Sequence, residues 1–222
     1  SPPPNKPIDT VILNGAECEP FLTADHRIML EHTAAMVEGL QIITRILDAK
    51  HAVVGIEVNK PDALDAVRSA CASTDIRVVP LQIKYPQGGE KQLISAVLRR
   101  EVPSGGLPMD VGVVVQNAGT ARAVQQAVTA GRPLYERILT VTGSAVPEPG
   151  NFLVRIGTPV ATLLTHCGVS ADRMGRLILG GPMMGFAQRH ADVPVTKGTS
   201  GILAFLETES AILPPMACIR CG

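Results

Sequence analysis

Four short apolar runs separated by amphipathic stretches fill the first part of the chain. That alternation restricts its possible folds more than any other feature. IDTVILNG (8–15), HAVVGIEV (51–58), IRVVPLQI (76–83) and VGVVVQN (111–117) each read as a buried strand. Pro80 places the third at a sheet edge or a bulge. A long helix from Thr23 or Asp25 to about Lys50 is expected after the first strand, with Met29, His32, Met36, Leu40, Ile43 and Leu47 along one apolar face. Pro61 suits the first turn of a second helix, another follows the glycine pair at 88 and 89, and Gly131 closes a fourth. The prediction is an α/β fold: a Rossmann-like, mostly parallel sheet with right-handed crossovers and covered faces. Ligands of such sheets bind at the carboxyl ends of the strands, and the polar clusters of this chain fall there.

Past residue 136 the rhythm changes to strand, turn, strand, short helix and further strands, the pattern of a small mixed unit of the β-grasp kind. The expected organisation is an α/β domain over 8–135, a β-grasp domain over 136–209 and a tail over 210–222. Twenty basic residues balance twenty acidic ones and aromatics make up 3%, which argues against a nucleic-acid binder. No apolar run reaches the roughly 18–20 residues that span a bilayer, so membrane contact is expected to be peripheral or through a partner. The opening SPPPNKP is polar, reads as no signal peptide and lacks an initiator Met, as a processed chain or excised fragment would. Five cysteines show no disulfide framework, consistent with a reducing, cytoplasmic setting.

Four constellations carry chemistry. Asn14, Glu17 and Glu19 crowd the mouth of the first strand, where carboxylates accept hydrogen bonds from sugar or ribityl hydroxyls; acids placed there also offset a helix dipole. KYPQGGEK (84–91) offers Gly88, Gly89 and Glu90 ahead of a helix, a turn that admits a ligand or simply turns the chain. Asn117 ends the fourth strand and is a ligand contact or a helix cap. Converging at strand ends, these loops suit a phosphorylated, hydroxylated ligand such as a nucleotide or flavin. Cys218 and Cys221 stand in CxxC spacing in CIRCG, compatible with zinc, redox or iron–sulfur chemistry, and read as the opening of a longer motif. Met183 and Met184 in GGPMMG line a site or pack, His32 is a core or boundary histidine, and no nucleophile triad or histidine metal spacing is present.

NGAECEPFLTADHR, GIEVNKP, KYPQGGEKQLI, REVPSGGLPMDVGVVVQNAGT and LILGGPMMG, with the closing CIRCG, together resemble the C subunit of the Rnf (Rsx) ion-translocating electron transport complex. The chain is similar, more distantly, to the flavin-carrying 51-kDa-type subunit of respiratory complex I. The resemblance implies NADH oxidation through FMN and electron transfer through two 4Fe-4S clusters toward membrane subunits, in exchange with ferredoxin or another acceptor and coupled to ion translocation. It implies a peripheral place on the cytoplasmic face of the bacterial inner membrane, beside the other subunits of the complex.

Residue by residue, the resemblance implies that Asn14 and Asn117 contact the flavin, that Glu17 is the carboxylate two residues before the one, Glu19, that faces the nicotinamide nucleotide, and that Gly88 and Glu90 lie beside both flavin and nucleotide. Cys218 and Cys221 match the opening pair of the first cluster motif. Ala16 stands where the complex I protein has Asp, and Gly89 where it has Glu. The family's glycine-rich phosphate loop has no counterpart upstream of Asn14, so a chain of this extent is expected to fold, to bind flavin poorly and to be inactive alone. Two alternatives stay open: a flavin–iron–sulfur cobalamin reductase of the same domain order, and a non-catalytic docking module.

Overall fold

Apolar β-branched residues in register form the centre of the computed structural model, which describes residues 2–209 and Ala217. Strands β1 (Thr10–Gly15), β2 (His51–Glu57), β3 (Arg77–Leu81) and β4 (Val113–Asn117) make one sheet in the order β3-β2-β1-β4. Every pairing in it is parallel. Pro80 does sit in an edge strand, where its missing N–H costs no ladder bond.

Helices α1 (Ala24–Glu31), α2 (Thr33–Ile46), α3 (Pro61–Cys71), α4 (Glu90–Leu98) and α5 (Ala118–Ala130) cover both faces. Alternation along β1 sends Val11 and Leu13 into a core with Met29, Met36 and Leu40, while Ile12 turns to the other face with Leu93 and Ile94 of α4. Gly131 takes the left-handed conformation that ends α5, with φ +63°.

The single long helix expected to about Lys50 is instead two, and α2 ends at Ile46. His32 breaks it, with φ −129° and ψ 28°. The Thr33 hydroxyl donates back to the carbonyl oxygens of Met29 and, at 3.2 Å, Leu30. Such back-bonding competes with the helical ladder and bends the chain. His32 thus stands at a corner, half-buried, rather than on a continuous helix face.

The second sheet contains β5 (Glu136–Thr142), β6 (Gly150–Arg155), β7 (Met174–Leu179), β8 (Phe186–Gln188) and β9 (Gly201–Leu206), ordered β6-β5-β9-β7-β8. β9 runs parallel to β5 and antiparallel to β7. Helix α6 (Val160–His166) packs Val160, Leu163 and Leu164 onto Leu139, Val141 and Ile202. The short strand β8 has no separate signal in the sequence. Among the described residues, no helix is long and apolar enough to cross a membrane.

The α2–α5 crossing depends on Gly39. A Cβ there would stand 1.9 Å from the backbone oxygen of Ala121. Gly39→Ala gains about 1 kcal/mol of helix propensity but forces the helices apart. The overlap is expected to leave a net loss of about 1–3 kcal/mol, read as a lower urea midpoint with an unchanged m-value. An unchanged or raised midpoint would show that the crossing tolerates a methyl group.

Candidate functional site

The loop leaving β1 is fastened by its own side chains. Asn14 donates from Nδ2 to the Gly88 carbonyl at 2.8 Å and accepts the Ala16 N–H at Oδ1, 3.1 Å. The Gly88 N–H points at Cys18 Sγ, 3.4 Å away. A Cβ on Gly88 would lie 2.5 Å from the Ala16 oxygen, so this glycine lets two loops touch. The 84–89 loop is thereby held against the end of β1.

Glu17 reaches forward to the start of α1. Its carboxylate accepts the backbone N–H groups of Asp25 at 2.9 Å and His26 at 3.2 Å, satisfying two donors that no helical carbonyl can reach. The dipole-offsetting role is therefore present. Burial, and secondly the Asp25 charge, still push the Glu17 carboxyl up to about 7, against the pull of those two N–H groups and Lys60. Burial raises Asp25 as well, opposed by a 2.6 Å hydrogen bond from Asn117 Nδ2 and by the charges of Arg137 and Lys60. Lys60 itself is buried and paired with Glu57 at 3.1 Å.

Glu19 bridges to the second sheet. Its Oε2 accepts the Met183 N–H at 3.0 Å, and a Cβ on Gly181 would come within 2.1 Å of the same oxygen. The GGPMMG turn is thus moulded onto this carboxylate. The other oxygen, Oε1, is buried and has no hydrogen-bond partner. The Thr23 N–H donates to Thr140 Oγ1 at 3.0 Å, adding a second tie between the sheets.

Between these loops lies a cleft of about 400 Å³. Glu17, Glu19, Gly88, Glu90 and Asn117 all line it. Asn14 is one layer behind, holding the 84–89 loop. Asn117 also caps α5, accepting the Gly119 N–H at 2.8 Å, so the cap role foreseen for it is present. Cys218 and Cys221 lie outside the described residues.

Several contributors escaped the sequence reading. Asp25 looked only like a helix cap, and Arg137 and Ser200 come from the second sheet's side of the chain, distant in sequence and unmarked by any motif. Met184 does line the cleft.

The cleft fits a flavin on two counts. Its volume is in the range of small-molecule sites, and the unpartnered Glu19 Oε1 is a buried acceptor awaiting a donor such as a ring N–H or a hydroxyl.

Glu17 carries a pH signature. Its carboxyl is raised in the fold above its unfolded value, so its contribution to stability is full below about pH 4.5 and is lost as pH rises through about 7. Stability is expected to fall by on the order of 2 kcal/mol between pH 5 and pH 8 in the wild type, and Glu17→Gln to flatten that slope. Denaturant titrations at both pH values check this. Equal slopes in the two proteins would remove Glu17 as the cause.

Residues 1–126 match the Nuo51 FMN-binding domain family, and residues 138–187 match the SLBB domain. The C subunit of the proton-translocating ferredoxin:NAD+ oxidoreductase complex of Clostridium ljungdahlii is 52% identical over 222 residues, 100% of this chain and 49% of that protein. The C subunit of the Na+-translocating counterpart in Acetobacterium woodii is 46% identical over 221 residues, 99% of this chain and 50% of that protein. The C subunit of the ion-translocating oxidoreductase complex of Pseudomonas aeruginosa is 44% identical over 220 residues, 99% of this chain and 28% of that protein. The chain therefore spans about half the length of the first two relatives and less of the third. Among solved structures, the air-oxidised NAD+-reducing NiFe hydrogenase shares the fold, with a TM-score of 0.72 over 90% of this chain and 40% of its own, at 19% identity. The expected likeness to Rnf-type C subunits runs through the whole chain, and the 126 matched residues of 222 place it in a family: the chain belongs to the Nuo51 FMN-binding domain family, with an SLBB domain following.

Proposed function

We propose that this chain is the flavin- and nucleotide-binding part of an electron-transfer subunit that oxidises NADH through FMN. The observation that carries the reading is Glu19: a carboxylate on the loop after β1, held by the Met183 N–H of the turn after β7, with one buried oxygen unpartnered, at the carboxyl end of a parallel sheet. Identity of 44–52% with the C subunits of ferredoxin:NAD+ and ion-translocating oxidoreductases supports the same assignment.

In this reading the α/β domain covers 8–135 and the β-grasp domain 136–209, with 210–222 opening the cluster segment. Glu19 Oε1 accepts from the flavin or the nicotinamide nucleotide, and Glu90 borders the entrance. Asn14 and Gly88 act on the ligand by positioning the 84–89 loop. When bound, FMN supplies hydride acceptance and one-electron release. The protein's part is to seat the rings, exclude water with the GGPMMG turn, and hold a proton near neutrality on the Glu17 carboxyl beside Asp25. Cys218 and Cys221 hold part of a 4Fe-4S cluster in the complete protein, one of two through which electrons leave. The complete protein sits peripherally on the cytoplasmic face of the inner membrane, joined to the other subunits, exchanging electrons with ferredoxin in a reaction coupled to ion translocation.

The test uses the full-length protein, reconstituted without oxygen with FMN, iron and sulfide. Addition of NADH is expected to bleach the flavin absorbance, and Glu19→Gln to slow the bleaching at least ~10-fold, the loss of one charge-assisted hydrogen bond. A flavin that NADH cannot bleach, or a Glu19→Gln protein indistinguishable from wild type, would overturn the assignment.

A further inference from the structure

Tyr85 and Pro86 wall the cleft on one side and a more open groove, of about 590 Å³, on the other. The groove is elongated. Lys91 and Ser95 stand one turn apart along α4, Glu101 follows just past the helix end, and Lys84 lies across from them on the loop.

Gln87 also lines the groove, although it is only 2% exposed. Its Oε1 is buried and has no hydrogen-bond partner. Buried amide oxygens are almost always paired, so an unpaired one beside a groove marks a contact that the free chain leaves unmade. The terminal amide torsion is soft, and a turn about it carries Oε1 toward a donor laid along the groove.

Charge points the same way. Lys84 forms no side-chain hydrogen bond or ion pair among the described residues, and the hydrogen bond of Lys91 goes to the Pro103 carbonyl at 3.4 Å. Against these two cations the groove sets one carboxylate, Glu101. At the loop, Ile83 and Tyr85 are 60% and 41% exposed, an apolar margin beside the cations. Cations and a buried acceptor strung along a helix suit an extended chain, which carries backbone N–H groups at regular intervals with side chains between them.

We propose that this groove receives an extended, acidic polypeptide segment of another subunit, with Lys84 and Lys91 on its carboxylates and Gln87 Oε1 on one of its backbone N–H groups. The proposal rests on the reading of this chain as one subunit of a larger complex, and not on flavin or nucleotide binding. Because Asn14 holds the loop at Gly88, the docked segment abuts the cleft across Tyr85 and Pro86 without entering it.

The test replaces Ser95 with the photo-crosslinking residue benzoylphenylalanine in the full-length protein, within the complex purified through a tag on a different subunit. The same probe at Val128, 60% exposed on α5, is the control. Illumination is expected to join position 95 to an Asp- and Glu-rich segment of a partner, mapped by mass spectrometry. Lys84→Glu with Lys91→Glu is expected to lower the yield at least ~10-fold, and Lys84→Arg with Lys91→Arg to retain it. Gln87→Met removes the acceptor at similar volume and is expected to lower the yield several-fold. If Gln87→Met does not fold, the exposed lysine variants carry the comparison. An adduct within the chain or between two copies of it would overturn the proposal, as would a yield equal to that at Val128, a yield indifferent to charge reversal, or no adduct from a complex that co-purifies. A wild-type chain that does not co-purify with the tagged subunit would overturn the subunit reading and the proposal with it. NADH bleaching by the isolated, reconstituted full-length protein tests the flavin reading separately, whatever the groove holds.

Discussion

The loop from Ala16 to Thr23 is the constraint on which the rest depends. Glu17 faces back into the first sheet's helices, and Glu19 and Thr23 face forward to the second sheet. Burying a carboxylate against backbone is favourable when N–H groups are aimed at it: Asp25 and His26 supply Glu17, and Met183 supplies one oxygen of Glu19. The price of that arrangement is local crowding, visible in glycines at 88 and 181 where a Cβ would collide with the loop. Ile138 of β5, packed into the core beneath the first sheet's helices, adds an apolar contact to this clamp.

Most of the first sheet was legible in the sequence because its determinants are local. The continuous apolar run of β1, proline at an edge, proline at the first turn of α3 and glycine after α5 each act within a few residues. The break at His32 was not legible. It replaces no apolar residue and uses neither glycine nor proline; a threonine hydroxyl competing for two carbonyls decides it. The strand β8 was missed for another reason. Three residues carry too little pattern, and their conformation is set by pairing with β7.

The candidate site divides along the same line. Glu17, Glu19, Gly88, Glu90 and Asn117 stand at strand ends, where topology alone brings them together, and all line the cleft. Asp25 and Arg137 belong to it only through tertiary approach, and the buried Lys60–Glu57 pair sets the field behind it. Charge patterning along a sequence cannot reveal which cation ends up facing which acid. In the opening loop, helix completion and an unusual proton affinity fall on one side chain. The carboxylate that completes the start of α1 is the one whose proton affinity burial has raised toward neutrality.

The order β6-β5-β9-β7-β8 places the latest strand of the second sheet in its middle. During synthesis, β5 and β7 therefore emerge with their facing edges vacant, and neither can bond the other until Gly201–Leu206 has arrived. Non-local pairing of this kind closes late and leaves strand edges exposed meanwhile. The first sheet is already complete by then, since its last strand ends at Asn117. The residues of the acidic half of the cleft thus leave the ribosome before the Met183 turn that covers Glu19, and the sheet behind that turn closes only when β9 follows.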